Sequence, residues 1–494
     1  MDRQHTIAAA FPLFPALLAT HNIPRMTHTT AVAAVPPRDE KKRWSRAILI
    51  AAAILAPAVI LIALVTRAGL LLVVSGGAVG LVLWSLLDIR ATFLIGVLLA
   101  TFVDYETGHL TLEMTVLCAW FAWISLLLFW RSTWKSWVRP PSELLQGLAV
   151  WLGACAVGVT LGLLHGNNIR SLGIEVAGAL WPALALGMMQ VYKRRNAVYA
   201  GLGLVAIGLV HTGFGLTMLQ IYHRRLGGIY FTTVTGMVAV GLWTVALLAP
   251  TRKMRVFCLF AMIPMLAHLL FSFTRGYWLG FIVGLALATI LSWRNLGCFE
   301  PRVRSRRFLL LPALVGIFAV TAGLSTVYFG KGDLLSSIGR RFSASFSTDL
   351  EGETVSNILR LVEWERAVNA ALESPVIGNG FGFAIMNRDP FLGTTREQWF
   401  VHNYYLLIWL NLGIVGLAAF GFLLWKLIRA ASRVAGEDPF WLVRAWAIAA
   451  IAVTGQVLVI LLTNYSLADV NTAFAFAYIW GVFWALRADA KSTA

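Results

Sequence analysis

Residues 398–420 read "QWFVHNYYLLIWLNLGIVGLAAF". From Tyr404 onward the stretch is almost wholly apolar, and about twenty such residues suffice for a helix to cross a bilayer. Ahead of the apolar run stand His402 and Asn403, polar groups at the lip of the span. A chain that repeats such runs end to end is a bundle of membrane helices. What its lip residues do then depends on which face of the membrane they occupy.

The runs do repeat. Spans are predicted at 47–66, 69–87, 89–103, 112–130, 144–164, 172–191, 197–219, 230–250, 256–273, 276–293, 308–328, 403–428, 442–463 and 469–487. The third is short and abuts the second, so the expected total is about 12–14 helices at about twenty residues per crossing. Composition agrees: 59% of residues are hydrophobic and 13% charged, against about a quarter charged in ordinary soluble domains. No alternating β-barrel pattern is present. The fold class expected is an all-α polytopic membrane protein with one large extramembrane loop.

A formal charge of +17 suggests nucleic acid until the basic residues are placed. With the segment before the first span inside, alternation puts "KKRWSR" (41–46), "KRR" (193–195), "RKMR" (252–255), "PRVRSRR" (301–307) and Lys426, Arg429 and Arg433 on the inner face. The short outer loops hold only Arg67, Arg170, Arg224, Arg225 and Arg275. This is the positive-inside asymmetry of a cytoplasmic membrane protein with both termini in the cytoplasm. The charge meets anionic membrane lipid and sets topology; it does not read nucleic acid. Cys118, Cys155 and Cys258 fall inside spans and Cys298 on the inner side, so no disulfide framework is expected.

Four segments follow. Residues 1–40, broken by Pro12 and Pro15, read as a disordered tail or an over-long start with Met26 as alternative initiator. Residues 41–328 hold membrane helices with short loops, 329–402 form the outer loop, and 403–494 hold the last helices. Within the loop, "SNILRLVEWERAVNAALESP" (356–375) places Ile358, Leu361, Val362, Trp364, Ala367, Val368 and Ala371 at helical spacing, with Arg360, Glu363 and Arg366 flanking that face. The helix expected near 356–374 stops at Pro375, and "IGNGFG" (377–382) makes a tight turn or, less simply, a backbone cradle for phosphate.

Outer basic residues are rare, yet they gather at "HRRLGG" (223–228) and "FTRGYWLG" (273–280), the same face as "VHN". A single arginine at a span end is an ordinary interfacial anchor, and a single histidine there an ordinary cap. Clustered, they make a cationic site: arginine at that depth lines a polar cavity or finds an anion, and its planar fork suits phosphate oxygens. No Asp-x-Asp, Walker or serine-elbow motif and no metal-ligand spacing accompanies them, so no metal or cofactor is expected; Asp349, Glu351 and Glu353 read as solvated.

These elements together resemble the bacterial O-antigen ligases, within the wider family of O-antigen polymerases and ligases. "HNYYLLIWLNLGIVG" carries His402 and Asn403, nine residues, Gly413, two residues, Gly416. "RLGG" (225–228), "TRGYWLG" (274–280) and "RLVEWERAVNAALESPVIGNGFG" (360–382), with Arg360 and Trp364, follow the family pattern over about residues 200–430. The resemblance implies a GT-C-like glycosyltransferase that moves a glycan from an undecaprenyl-pyrophosphate carrier to lipid A–core oligosaccharide on the periplasmic face of the bacterial inner membrane. It implies Arg225 and Arg275, with Arg224 competing for the first position, as cations for the pyrophosphate leaving group, and His402 as general base on the acceptor hydroxyl. Single displacement would invert the anomeric centre. Asn403 caps the helix or orients substrate, and the loop helix lids the pyrophosphate with Arg360. Rivals are the carrier-to-carrier polymerase and a protein O-oligosaccharyltransferase of the same superfamily. From another class comes a lipid-linked glycan flippase, for which repeats and broken helices would speak.

Overall fold

The structure, a computed structural model, describes residues 88–100, 120, 124, 138, 140–222, 231–272, 274–295, 316, 353–388, 395–468 and 470–492. The spans expected at 47–66 and 69–87, nearly all of 112–130 and 308–328, the tail 1–40, and Arg224 and Arg225 lie outside the described residues. The chain divides into two compact units, Met1–Thr92 and Phe93–Ala494. Of the first only 88–92 is described, where Asp88 accepts from the Arg90 backbone N–H at 3.1 Å.

The described elements are α1 (Ile89–Ala100), α2 (Ser142–Leu164), α3 (Ile169–Ala179), α4 (Trp181–Met189), α5 (Ala197–Tyr222), α6 (Phe231–Leu248), α7 (Arg252–Phe271), α8 (Arg275–Asn295), α9 (Glu353–Glu373), β1 (Ile385–Arg388), β2 (Thr395–Gln398), α10 (Tyr404–Glu437), α11 (Trp441–Ile460) and α12 (Val470–Ser492). Among the described residues α2, α7, α8, α10 and α11 are each long and apolar enough to cross a membrane. The chain is an all-α polytopic membrane protein.

The span expected at 172–191 is a pair, α3 and α4, bent by 44°. Pro182 stands at the start of α4. It has no N–H to donate and its ring crowds the preceding turn, which favours a bend there. A small antiparallel ribbon, absent from the sequence reading, pairs Ile385 with Gln398 and Arg388 with Thr395.

α12 runs through the protein interior. Its residues Phe474, Phe476, Tyr478, Trp480, Phe483 and Trp484 are all at most 2% exposed. Trp181 of α4 meets Phe476 edge-on at 4.7 Å, and the Tyr192 and Tyr478 hydroxyls are 2.9 Å apart. α8 and α11 approach closely because α8 carries Gly276, Gly280 and Gly284 on one face. A Cβ on Gly280 would stand 2.7 Å from Gln456 O, and one on Gly284 3.0 Å from Gln456 Cβ. Glycines four apart are how membrane helices bring backbones together where lipid supplies no hydrophobic drive. The opposite face of α8 exposes Leu279, Ile282 and Ile290, as a lipid-facing surface does.

Candidate active site

The loop helix α9 sets the first half of the site. Glu363, Ala367 and Ala371 recur every four residues and are buried to 3%, 1% and 1% exposure, whereas Leu361 and Leu372 are 60% and 57% exposed. The expectation that Glu363 merely flanks an apolar face is therefore corrected: it sits on the buried stripe. An acidic side chain holds that place only when hydrogen-bonded, and its carboxylate receives three donors. Gln398 Nε2 donates to Oε2 at 2.8 Å, the His402 backbone N–H donates to Oε1, and His402 Nδ1 stands 2.9 Å from Oε2.

An ionised carboxylate only accepts, so the proton on the imidazole belongs on Nδ1 and Nε2 keeps its lone pair. The His402 side chain is 29% exposed and that of Glu363 5%. A buried carboxylate thus orients a partly open imidazole. Sequence reading missed Glu363; its signal was an acid at the four-residue spacing of Ala367 and Ala371.

Asn403 is the N-cap of α10. Its Oδ1 accepts from the Tyr405 and Leu406 backbone N–H groups at 3.0 and 3.2 Å, which satisfies two of the donors every helix start leaves open. Tyr404 N donates to Leu461 O at 2.9 Å and the Tyr405 hydroxyl to Leu458 O at 2.9 Å, pinning the helix start to the end of α11.

The turn after α11 lies between His402 and the head of α8. Tyr465 in that turn packs against the imidazole with ring centroids 5.5 Å apart. At the head of α8, Gly276 lies against Thr463, and Asn464 Nδ2 donates to the Tyr277 hydroxyl at 3.0 Å. His402 and the head of α8, of which Arg275 is the first residue, therefore border one short turn, 463–465. Arg360 lies one helical turn before Glu363 and is half-buried. Arg224 and Arg225, outside the described residues, are not placed.

The glycine turn is not a phosphate cradle. α10 breaks at Gly413, with φ 64° and ψ −167°, a conformation that favours glycine. At such a break helical carbonyls and N–H groups lose their own partners, and the turn supplies them. Asn379 N donates to Leu410 O and Gly380 N to Asn411 O, both at 2.9 Å, while Ile414 N donates to Pro375 O at 3.0 Å and Val415 N to Val376 O at 3.2 Å. Phe381 N donates to Gly158 O at 3.0 Å and Gly382 N to Glu175 Oε2 at 2.6 Å. With the N–H groups of residues 379–382 so committed, none of the four remains to hold an anion. Gly378, Gly380 and Gly382 have φ of 75°, 84° and 78°; an added Cβ on Gly382 would meet Asn168 O at 2.6 Å. Asn167 Nδ2 clasps the turn from the α2–α3 connection, donating to Asn379 O and Phe381 O at 3.0 and 3.1 Å.

Each position of the His-Asn-x9-Gly-x-x-Gly pattern thus has a physical role. His402 places an imidazole on Glu363, Asn403 caps the helix, and Gly413 makes the left-handed break. At Gly416 any Cβ would run into Leu412 across the break. No curated protein matches the chain. A family model described as O-antigen ligase matches residues 260–421, which take in Arg275, α9, the glycine turn, His402 and the break in α10. Over those residues the chain is similar to the O-antigen ligases.

Proposed function

We propose that the protein transfers a glycan from an undecaprenyl-pyrophosphate carrier to lipid A–core oligosaccharide, on the periplasmic face of the inner membrane, with inversion and without a metal. The observation that carries this reading is the pair His402–Glu363, Nδ1 to Oε2 at 2.9 Å, at the lip of a membrane helix. The acceptor hydroxyl oxygen attacks the anomeric carbon as the bond from that carbon to the pyrophosphate oxygen breaks. The hydroxyl proton passes to His402 Nε2, and Glu363 supports the imidazolium so formed, as an acid does in a nucleophile–base–acid array. The pyrophosphate leaves with its electron pair toward Arg275, helped by Arg360 and by Arg225 or Arg224; fixed cations where charge develops lower the barrier most in a site sheltered from water. Asn403 keeps the imidazole in place by starting the helix beside it.

A broken helix also occurs in transporters, but here the glycine turn fills the break of α10 and pairs the backbone groups of Leu410, Asn411, Ile414 and Val415. The test is transfer in vitro with purified protein, carrier-linked glycan and lipid A–core in EDTA, beside His402→Ala. Glycan on lipid A–core that the variant fails to make supports the reading. Growth of glycan on its carrier alone makes the protein a polymerase, and passage of carrier across a liposome bilayer without bond formation makes it a flippase.

A further inference from the structure

Aromatic rings converge on His402. Its imidazole stands edge-on to Phe400, centroids 5.4 Å apart at 79°, and to Tyr465, 5.5 Å at 76°. Phe400 and Tyr465 are 4.8 Å apart, tilted by 33°, and Trp399 meets Phe400 edge-on at 5.4 Å. Tyr465 is 4% exposed and forms the back of the group. Trp399, Phe400 and His402 are each only partly buried. Their backbone is held: Gln398 Nε2 donates to Phe400 O at 2.8 Å as well as to Glu363 Oε2, and Val401 is fully buried. One amide therefore fixes both the carboxylate behind the imidazole and the peptide that carries the rings.

A base removes a hydroxyl proton only when that hydroxyl is held within hydrogen-bond reach, so the sugar bearing it needs a seat. A pyranose offers an apolar face of C–H bonds, and the face of an aromatic ring is negative, so the two stack. We infer that Trp399 and Phe400 form the platform on which the acceptor's terminal sugar ring stacks, presenting its hydroxyl to His402 Nε2. The inference rests on the glycan-transfer reading and assigns its acceptor subsite. Indoles also anchor proteins at membrane interfaces, but this indole heads a chain of ring contacts that runs through Phe400 to the imidazole.

The experiment measures binding of lipid A–core oligosaccharide to purified protein without donor, and separately the transfer kinetics, for wild type, Trp399→Ala and Trp399→Phe. Loss of one stacking face is expected to weaken acceptor binding and raise acceptor KM about tenfold. Donor KM should stay within about twofold, since the platform does not meet the pyrophosphate. Trp399→Phe should recover most of the loss. Unchanged acceptor binding in Trp399→Ala, or equal losses in both variants, overturns the platform even if the wild type transfers glycan. Acceptor binding that depends on Trp399 in a protein that transfers nothing overturns the transfer reading and leaves the platform standing. A wild type that binds no oligosaccharide removes both.

Discussion

His402 Nδ1 lies 2.9 Å from Glu363 Oε2, so an imidazole at the lip of a membrane helix is oriented by a carboxylate carried on the preceding loop helix. The loop is then bonded to the proposed base, and Arg360 is one turn from that bond. Glu363→Gln is expected to lower kcat by about a hundredfold or more with KM values little changed, and to lower the melting temperature as well, because a neutral amide has one acceptor oxygen for the three donors and does not support the imidazolium. Glu363→Asp, shorter but still acidic, should restore part of the rate. Wild-type kcat in Glu363→Gln would reduce the carboxylate to a structural group.

At the head of α8, Arg275 carries the other half of the proposed chemistry. Arg275→Ala should cost about 10²–10³ in kcat at saturating substrates, the usual loss when a preorganised charge facing a leaving group is removed. Arg275→Lys should recover only part, since an ammonium lacks the bidentate fork. Steady-state kinetics with both substrates varied decides it, and a change confined to acceptor KM would move Arg275 out of the donor site.

The insertion of the glycine turn into α10 predicts unequal costs for identical substitutions. Gly380→Ala puts a Cβ at φ 84° against the backbone of Gly162 and Leu161. About 1–3 kcal/mol of strain, plus the clash, should lower the melting temperature clearly or abolish folding. Gly153→Ala, in α2 with nothing within 4 Å of the added carbon, should be neutral or stabilising by up to about 1 kcal/mol. Thermal unfolding in detergent compares them; equal effects would mean the turn is not seated in the break.

Glu175 locks that seat. It is 4% exposed and accepts from Gly382 N at 2.6 Å and Asn411 Nδ2 at 3.0 Å. Glu175→Ala leaves both donors without their acceptor, at about 1–3 kcal/mol for each buried group. Glu175→Gln keeps one acceptor oxygen and should lose less. A melting temperature that ranks alanine above glutamine would contradict this role.

Some of this is legible in the chain. The apolar spacing of 356–375 predicts a helix and α9 covers Glu353–Glu373; Pro375 and three glycines mark the turn after it; Asn403 before an apolar run reads as a cap. The same kind of reading misleads at Glu363, where an acid among arginines looks like a solvated flank, because the donors that permit its burial, Gln398 and His402, are 35 and 39 residues further on. It misleads again at 172–191, where a mostly apolar run hides the break at Pro182, and in α10, where the pattern marks Gly413 but not the break it makes.

The sequence by itself determined the solvent of this protein and the places where its backbone can turn. Membrane burial follows from the summed apolarity of about twenty consecutive residues, and capping and left-handed turns from single residues and their immediate neighbours. Only the tertiary structure decided which polar groups go inside. A buried carboxylate or a broken helix persists when donors and acceptors from another segment meet it. For Glu363 those come from Gln398 and His402, for Glu175 from Gly382 and Asn411, and for the break at Gly413 from Pro375 to Gly380. Such partnerships have no periodicity along the chain, so they become visible only once it has folded.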